Sequence, residues 1–180
     1  MNHIKRVGRE LKYKGSILNI YADCIKLPNG KVEQWDHIDH KSAAAVVPVL
    51  PDGRIILVRQ FRNSLDRYTL EIPAGGVEPN ESTRAAAKRE LEEETGYKSD
   101  TVESLVNIVT AIAYCNEIVD IYVAKNLVQS KQNLDAGEDI DVEIYTVEEL
   151  QHMIYTGVIM DSKTISAVLA YICKYVHKMK

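Results

Sequence analysis

The chain has 180 residues, 46% hydrophobic and 27% charged: enough apolar material for one domain with a real core, and too much for a disordered chain. Its net charge of −4 argues against a bulk basic footprint for nucleic acid, and no apolar run approaches the roughly 20 residues that span a bilayer. The three cysteines (Cys24, Cys115 and Cys173) are scattered and odd in number, so they suggest neither a disulfide framework nor a metal-ligand set; with no signal-peptide core at the N-terminus, a reducing cytoplasm is the expected address.

Residues 17–27 are β-like. Pro28-Asn29-Gly30 supplies turn residues, and Lys31–Ile38 returns with rough alternation, so a hairpin is expected. Ala43–Leu50 reads as a buried strand, Pro51-Asp52-Gly53 as a turn, and Arg54–Gln60 as the returning strand. Pro48 inside the first of these predicts an edge or a bulge. A short strand over Tyr68–Ile72 is broken by Pro73-Ala74-Gly75-Gly76. A helix follows over about Glu81–Thr95, with Asn80 expected at its start and Gly96 at its end.

Leu105–Ala113 and Ile118–Ala124 are further strands, Gln129–Asp139 is a polar loop, and Asp141–Tyr145 is a last strand. Thr146-Val-Glu-Glu149 has the pattern of a capping box and opens a helix with Val147, Leu150, Met153 and Ile154 on its apolar face; Gly157 ends it. A final helix from about Lys163 repeats Ile165, Val168, Leu169, Ile172 and Val176 at helical spacing, and its expected role is to cover the sheet. Strands, a helix, more strands and two helices suit a mixed β-sheet sandwiched between helices, an α/β fold.

The chemistry concentrates in residues 75–97. Four glutamates, Glu90, Glu92, Glu93 and Glu94, fall within five positions of the first helix. Glu90 and Glu94 are related by i+4, and such like-charged pairs destabilise a helix by a few tenths of a kcal/mol. A multivalent cation reverses that repulsion. Glu90, Glu93 and Glu94 share a face, and hard cations such as Mg²⁺ take carboxylate oxygens together with substrate phosphates. A bare Glu-x-x-Glu-Glu is more often a solvated acidic face. Here it comes with Gly75, Glu81, Arg89 and Gly96, which complete Gly-x5-Glu-x7-Arg-Glu-Leu-x-Glu-Glu-x-Gly-Tyr without a mismatch.

That pattern resembles the signature of the Nudix hydrolases. Val58-Arg-Gln-Phe-Arg62, Leu70-Glu-Ile-Pro-Ala-Gly75, the hairpin around Leu27-Pro-Asn-Gly-Lys31 with Trp35, and Ala43-Ala-Ala-Val-Val-Pro48 resemble the ADP-ribose pyrophosphatase subgroup. The resemblance implies Mg²⁺- or Mn²⁺-dependent hydrolysis of ADP-ribose to AMP and ribose 5-phosphate. It implies metal carboxylates at Glu90, Glu93 and Glu94, a metal-facing carbonyl at Ala74, and a Glu81–Arg89 pair that fixes the helix. By the same resemblance Arg62 contacts the diphosphate, Trp35 stacks on adenine, and Glu71 supports or contacts the substrate. The loop Leu134–Ile140 offers Glu138 as catalytic base, with Asp139 and Asp135 behind it.

The subgroup also implies an N-terminal β extension over residues 1–42 that builds a homodimer, ahead of a Nudix domain over 43–180. One departure stands out. Ile112-Ala-Tyr-Cys-Asn-Glu117 replaces a Pro-Gly-containing loop common in the subgroup, which bears on substrate preference. Two other readings stay open: the same chemistry on another nucleotide sugar such as GDP-mannose, and a non-catalytic ligand-binding regulator, against which the intact motif glutamates argue.

Overall fold

Alternation along one strand organises the larger part of the molecule. The computed structural model describes residues 3–177. In β4 (Ala43–Pro48), Ala44, Ala45, Val46 and Val47 are all 0% exposed, so the strand is buried on both faces. Ala44 and Val46 pack on Ala86, Ala87 and Leu91 of α1 (Thr83–Thr95). Ala45 and Val47 join the opposite core with residues of α2 (Val147–Tyr155) and α3 (Ser162–Tyr171), among them Leu150, Ala167 and Val168. Alanines on α1 allow the close helix–sheet approach.

β4 pairs in parallel with β10 (Ile118–Lys125), from Ala43 opposite Val119 to Pro48 opposite Ala124. On its other side it pairs antiparallel with β7 (Ala74–Gly76). The sheet runs β7-β4-β10-β9, with β9 over Thr101–Val109. A second, antiparallel sheet runs β12-β5-β6, from Ile140–Tyr145, Ile55–Arg62 and Arg67–Glu71. Ile55, Leu57 and Leu70 of that sheet enter the core that α2 and α3 cover. This is a mixed α/β fold with sheets between helix layers.

The chain divides into two compact units. One holds the chain to Ser42 together with Val109–Ile118, and the other holds Ala43–Ile108 and the chain from Val119 onward. The first unit is an antiparallel sheet of β1 (Lys5–Lys14), β2 (Leu18–Lys26) and β3 (Val32–His40), in that order. Within it, the 109–118 segment meets β3: the Ile38 amide donates to the Tyr114 carbonyl at 2.7 Å. No helix among the described residues is long and apolar enough to cross a membrane.

Several expectations need correction. No strand was expected before residue 17, yet β1 is ten residues long. Its sequence is dominated by Lys and Arg, and Val7, Leu11 and Tyr13 are too widely spaced among them for the apolar alternation that identifies a strand. β4 is interior, and Pro48 is its last residue instead of marking an edge or a bulge. Pro73 does interrupt the chain, but Ala74–Gly76 immediately resumes as β7. A two-residue ladder between β8 (Tyr97–Lys98) and β11 (Val128–Gln129) was too short to leave a pattern.

The first helix starts at Thr83, capped by Ser82, whose Oγ accepts from the Ala85 amide at 3.2 Å. Asn80 sits earlier, at φ 66°, in the left-handed region that asparagine tolerates. Glu81 therefore lies before the helix. Gly96 does end it, at φ 70°. The capping box forms at Thr146 and Glu149 in both directions. The last helix passes into a π-helical turn, Ile172–Val176, and this leaves Val176 45% exposed.

Candidate active site

Three neighbouring pieces of chain in the larger unit supply the site: β6 and β7 around Pro73, the glutamate face of α1, and the loop before β12. Helical spacing sends Glu90, Glu93 and Glu94 to one side of α1. Their surroundings then differentiate them. Glu90 is 7% exposed and Glu94 2%, whereas the Glu93 side chain keeps 35%.

Glu94 is tied to the preceding strand, where its Oε2 accepts from the Ala74 amide at 3.1 Å. Burial, reinforced by the charge of Glu90, pushes Glu94 up to about 8 despite that hydrogen bond. Burial also raises Glu90, against the pull of Arg89. Glu90 is pressed onto β7: a Cβ added at Gly75 would lie 1.9 Å from its Oε1. Glycine is required there by close approach, since the carboxylate occupies the space of a side chain.

Arg89 is the hub of the face. Its Nε and Nη2 donate to Glu81 at 3.1 and 3.2 Å, and Nη1 donates to Glu90 at 2.6 Å and to Glu93 at 2.9 Å. Nη2 also donates to the Gly76 carbonyl at 3.0 Å. The guanidinium thus joins helix, β7 and the turn holding Glu81. The hydrogen bonds from Arg89 depress the Glu81 carboxyl below its ordinary range.

Arg62 ends β5 and forms a bidentate pair with Glu71, both contacts at 2.7 Å. Glu71 is 3% exposed. Burial opposes its ionisation, but hydrogen bonds from Arg62, Lys163 and Thr69, together with the charge of Lys163, outweigh that and hold it at about 2. Glu138 lies in a turn where its Oε2 accepts from the Asp135 amide and its own amide donates to the Asp135 carbonyl, both at 3.0 Å. Its charge contributes to raising Glu90 and Glu94. Asp139, next in the loop, accepts from the Tyr68 hydroxyl. Trp35 belongs to the other unit, on β3 opposite Asp23, and is 45% exposed.

A hard divalent cation fits this donor set. Its carboxylate oxygens are the donors such an ion takes, two of the carboxylates are buried where a counter-cation would favour their ionised form, and Gly75 makes room for one of them. Among the described residues no three His, Cys, Asp or Glu side chains converge as a ready cage, and Arg89 is paired with both Glu90 and Glu93.

Sequence reasoning missed Lys163, which contacts Glu71 and lies 3.0 Å from Asp161. One signal was available. Lys163 is the second residue of α3, where a cation opposes the helix dipole by about 0.3–1 kcal/mol, so its presence calls for nearby carboxylates.

Comparison with known proteins agrees with this geometry. The family described as NUDIX domain matches residues 39–166. An ADP-ribose pyrophosphatase of Bacillus subtilis is 34% identical over 166 residues, covering 91% of this chain and 90% of that protein. A methanol dehydrogenase activator of Bacillus methanolicus is 36% identical over 167 residues, with the same coverage of 91% and 90%. A crystal structure of an ADP compounds hydrolase superposes with a TM-score of 0.87 over 99% of this chain and 98% of that one, at 20% identity, which speaks for the fold alone. The glutamate helix, its arginine hub and the glycine beneath Glu90 are thus those of a member of the Nudix hydrolase family.

Proposed function

We propose that the chain hydrolyses the diphosphate of ADP-ribose, with Mg²⁺ (or Mn²⁺) as cofactor, to give AMP and ribose 5-phosphate. The observation that carries the proposal is the face of α1. Two buried carboxylates, Glu90 and Glu94, and the more open Glu93 lie along one side of a helix that Arg89 and Glu81 fasten to β7. The Bacillus subtilis relative is an ADP-ribose pyrophosphatase, and an ADP-sugar pyrophosphatase of Mus musculus is 44% identical over 87 residues, 42% of this chain and 40% of that protein.

In this reading Glu90, Glu93, Glu94 and the Ala74 carbonyl hold the cation. When bound, it neutralises the diphosphate and makes a water more acidic. Arg62 orients the diphosphate through the N–H groups that Glu71 does not use; a guanidinium suits that task. Glu138 takes the proton of the attacking water. As the water oxygen bonds to phosphorus, the bond from that phosphorus to the bridging oxygen breaks, and the leaving phosphate carries away the electron pair. Trp35 stacks on the adenine.

The N-terminal unit serves as a dimerisation extension in the same proposal. Val7, Leu11 and Val32 stand 52, 47 and 52% exposed on its strands, an apolar load that a second copy would cover. The free cysteines suit a reducing, cytoplasmic setting.

A second reading keeps the reaction and changes the group beyond the diphosphate, to another nucleotide sugar. The loop Ile112–Glu117 favours keeping it in view, because its sequence departs from the subgroup pattern. A panel of nucleoside-diphosphate compounds, each assayed with Mg²⁺ and with EDTA, separates the two. Fastest turnover of ADP-ribose, abolished by EDTA, supports the first reading. Faster turnover of GDP-mannose replaces it with the second.

A further inference from the structure

Glu71 is a buried carboxylate with two cationic partners, one more than its charge requires. Arg62 approaches from the end of β5, through Nε and Nη2 at 2.7 Å each. Lys163 approaches from the first turn of α3, with its side chain only 15% exposed. Thr69 donates a further hydrogen bond to Oε1 at 2.6 Å. Lys163 is itself held by Asp161, at 3.0 Å.

The same helical turn grips the strand one residue further on. Thr164 Oγ1 is 0% exposed as part of its residue and accepts from the Ile72 amide at 2.9 Å, while Asp161 caps the helix through the Thr164 amide at 2.9 Å. Residues 161–164 therefore fix Glu71 and Ile72 together. Two residues later comes Ala74, whose amide holds Glu94. The first turn of α3 thereby registers the segment between β6 and β7 on which both the arginine and the glutamate helix depend.

Charge completes the argument. Lys163 sits where the helix dipole disfavours a cation, so covering the sheet does not account for it. Two cations and two anions, Arg62 and Lys163 against Glu71 and Asp161, leave the cluster neutral. Without Lys163, Glu71 would place its whole charge on Arg62. With it, Glu71 anchors Arg62 through Nε and Nη2, while the outward N–H groups of a side chain that is 39% exposed keep their pull on an anion.

We infer that Lys163 is a positioning residue for Arg62: it shares the charge of Glu71 so that the guanidinium is held in place yet stays available to a nucleoside diphosphate. The inference rests on the proposed role of Arg62 in binding the diphosphate.

The test is steady-state kinetics on ADP-ribose with Mg²⁺, together with calorimetric binding of ADP, for wild type, Lys163→Met and Lys163→Arg. In Lys163→Met, KM rises and ADP binding weakens by about tenfold, with a much smaller change in kcat. Lys163→Arg, which keeps the charge, restores both toward wild type. A merely structural lysine would lower thermal stability and the active fraction, and so kcat, with KM unmoved. That result, or an unchanged KM and ADP affinity in Lys163→Met, overturns the inference. Should Lys163→Met not fold, Lys163→Gln carries the same comparison. A wild-type chain that binds ADP and loses that binding in Lys163→Met, yet hydrolyses no nucleoside diphosphate, overturns the proposed activity and leaves Lys163 in its role.

Discussion

Glu90 and Glu94 show how residue type and environment divide the work of a motif. Both are glutamates on one helix, one turn apart, and both are buried against a backbone that gives them little solvent. Glu94, raised to about 8, holds its proton at pH 7. A cation needs the carboxylate, so binding must release that proton. Calorimetric Mg²⁺ titrations in buffers of different ionisation enthalpy are expected to report roughly one proton released at pH 7, falling toward none as pH rises well above 8. Proton release that is absent at pH 7 would show that Glu94 is not drawn into the metal site. A carboxyl raised by burial is protonated below its raised value, so cation binding displaces a proton there; above that value it is already ionised and binding releases none.

Arg89 and Arg62 illustrate a second point about single residues. The Nudix resemblance implies a pairing of Arg89 with Glu81, and the side chains are within hydrogen-bonding distance. It says nothing of the Gly76 carbonyl or of Lys163, since neither a backbone acceptor nor a lysine 92 residues away from Glu71 leaves a local mark. Motif spacing records what is near in the chain; the cluster on Glu71 exists only because α3 folds back over β6.

At the scale of elements, β7 and α1 act as one unit. Gly75 has no room for a Cβ, because Glu90 fills it. Gly75→Ala should therefore displace the Glu90 carboxylate while the core around Leu91 stays packed. The expected outcome is a loss of kcat of about 10-fold or more with a circular-dichroism spectrum like that of wild type. Unaltered kcat in Gly75→Ala would mean that the position of Glu90 is immaterial to the reaction. The helix itself was legible in the sequence; its start was not. Asn80 and Ser82 are both good caps, and only the left-handed φ of Asn80 decides for Ser82. β5 was legible as a buried apolar run and α2 as a helix with one apolar face. β1 was not, because Arg9 interrupts the run from Val7 to Leu11 and Tyr13 and charge dominates the segment.

At the scale of the whole molecule, composition and length suggested one domain, and the motif placed the chemistry in its middle. The pairing of 109–118 with β3 inside the N-terminal unit could not be read: the sequence suggests a strand over Leu105–Ala113, whereas β9 ends at Val109, and nothing in the segment beyond it links to residue 38. The apolar exposure of β1–β3 carries the prediction at this scale. Sedimentation equilibrium should give twice the chain mass, and Leu11→Glu should shift it toward the single chain. A wild-type chain that sediments as a monomer at micromolar concentration contradicts the dimerisation role of that unit.

The central claim is that the glutamate face of α1 performs metal-dependent hydrolysis of a diphosphate, and one comparison tests it most directly. AMP release from ADP-ribose in Mg²⁺ is measured for wild type and for Glu93→Gln, with circular dichroism recorded on both. Wild type is expected to turn over, and a Glu93→Gln chain that remains folded to lose about 100-fold or more in kcat. Equal turnover by the two proteins would contradict the claim.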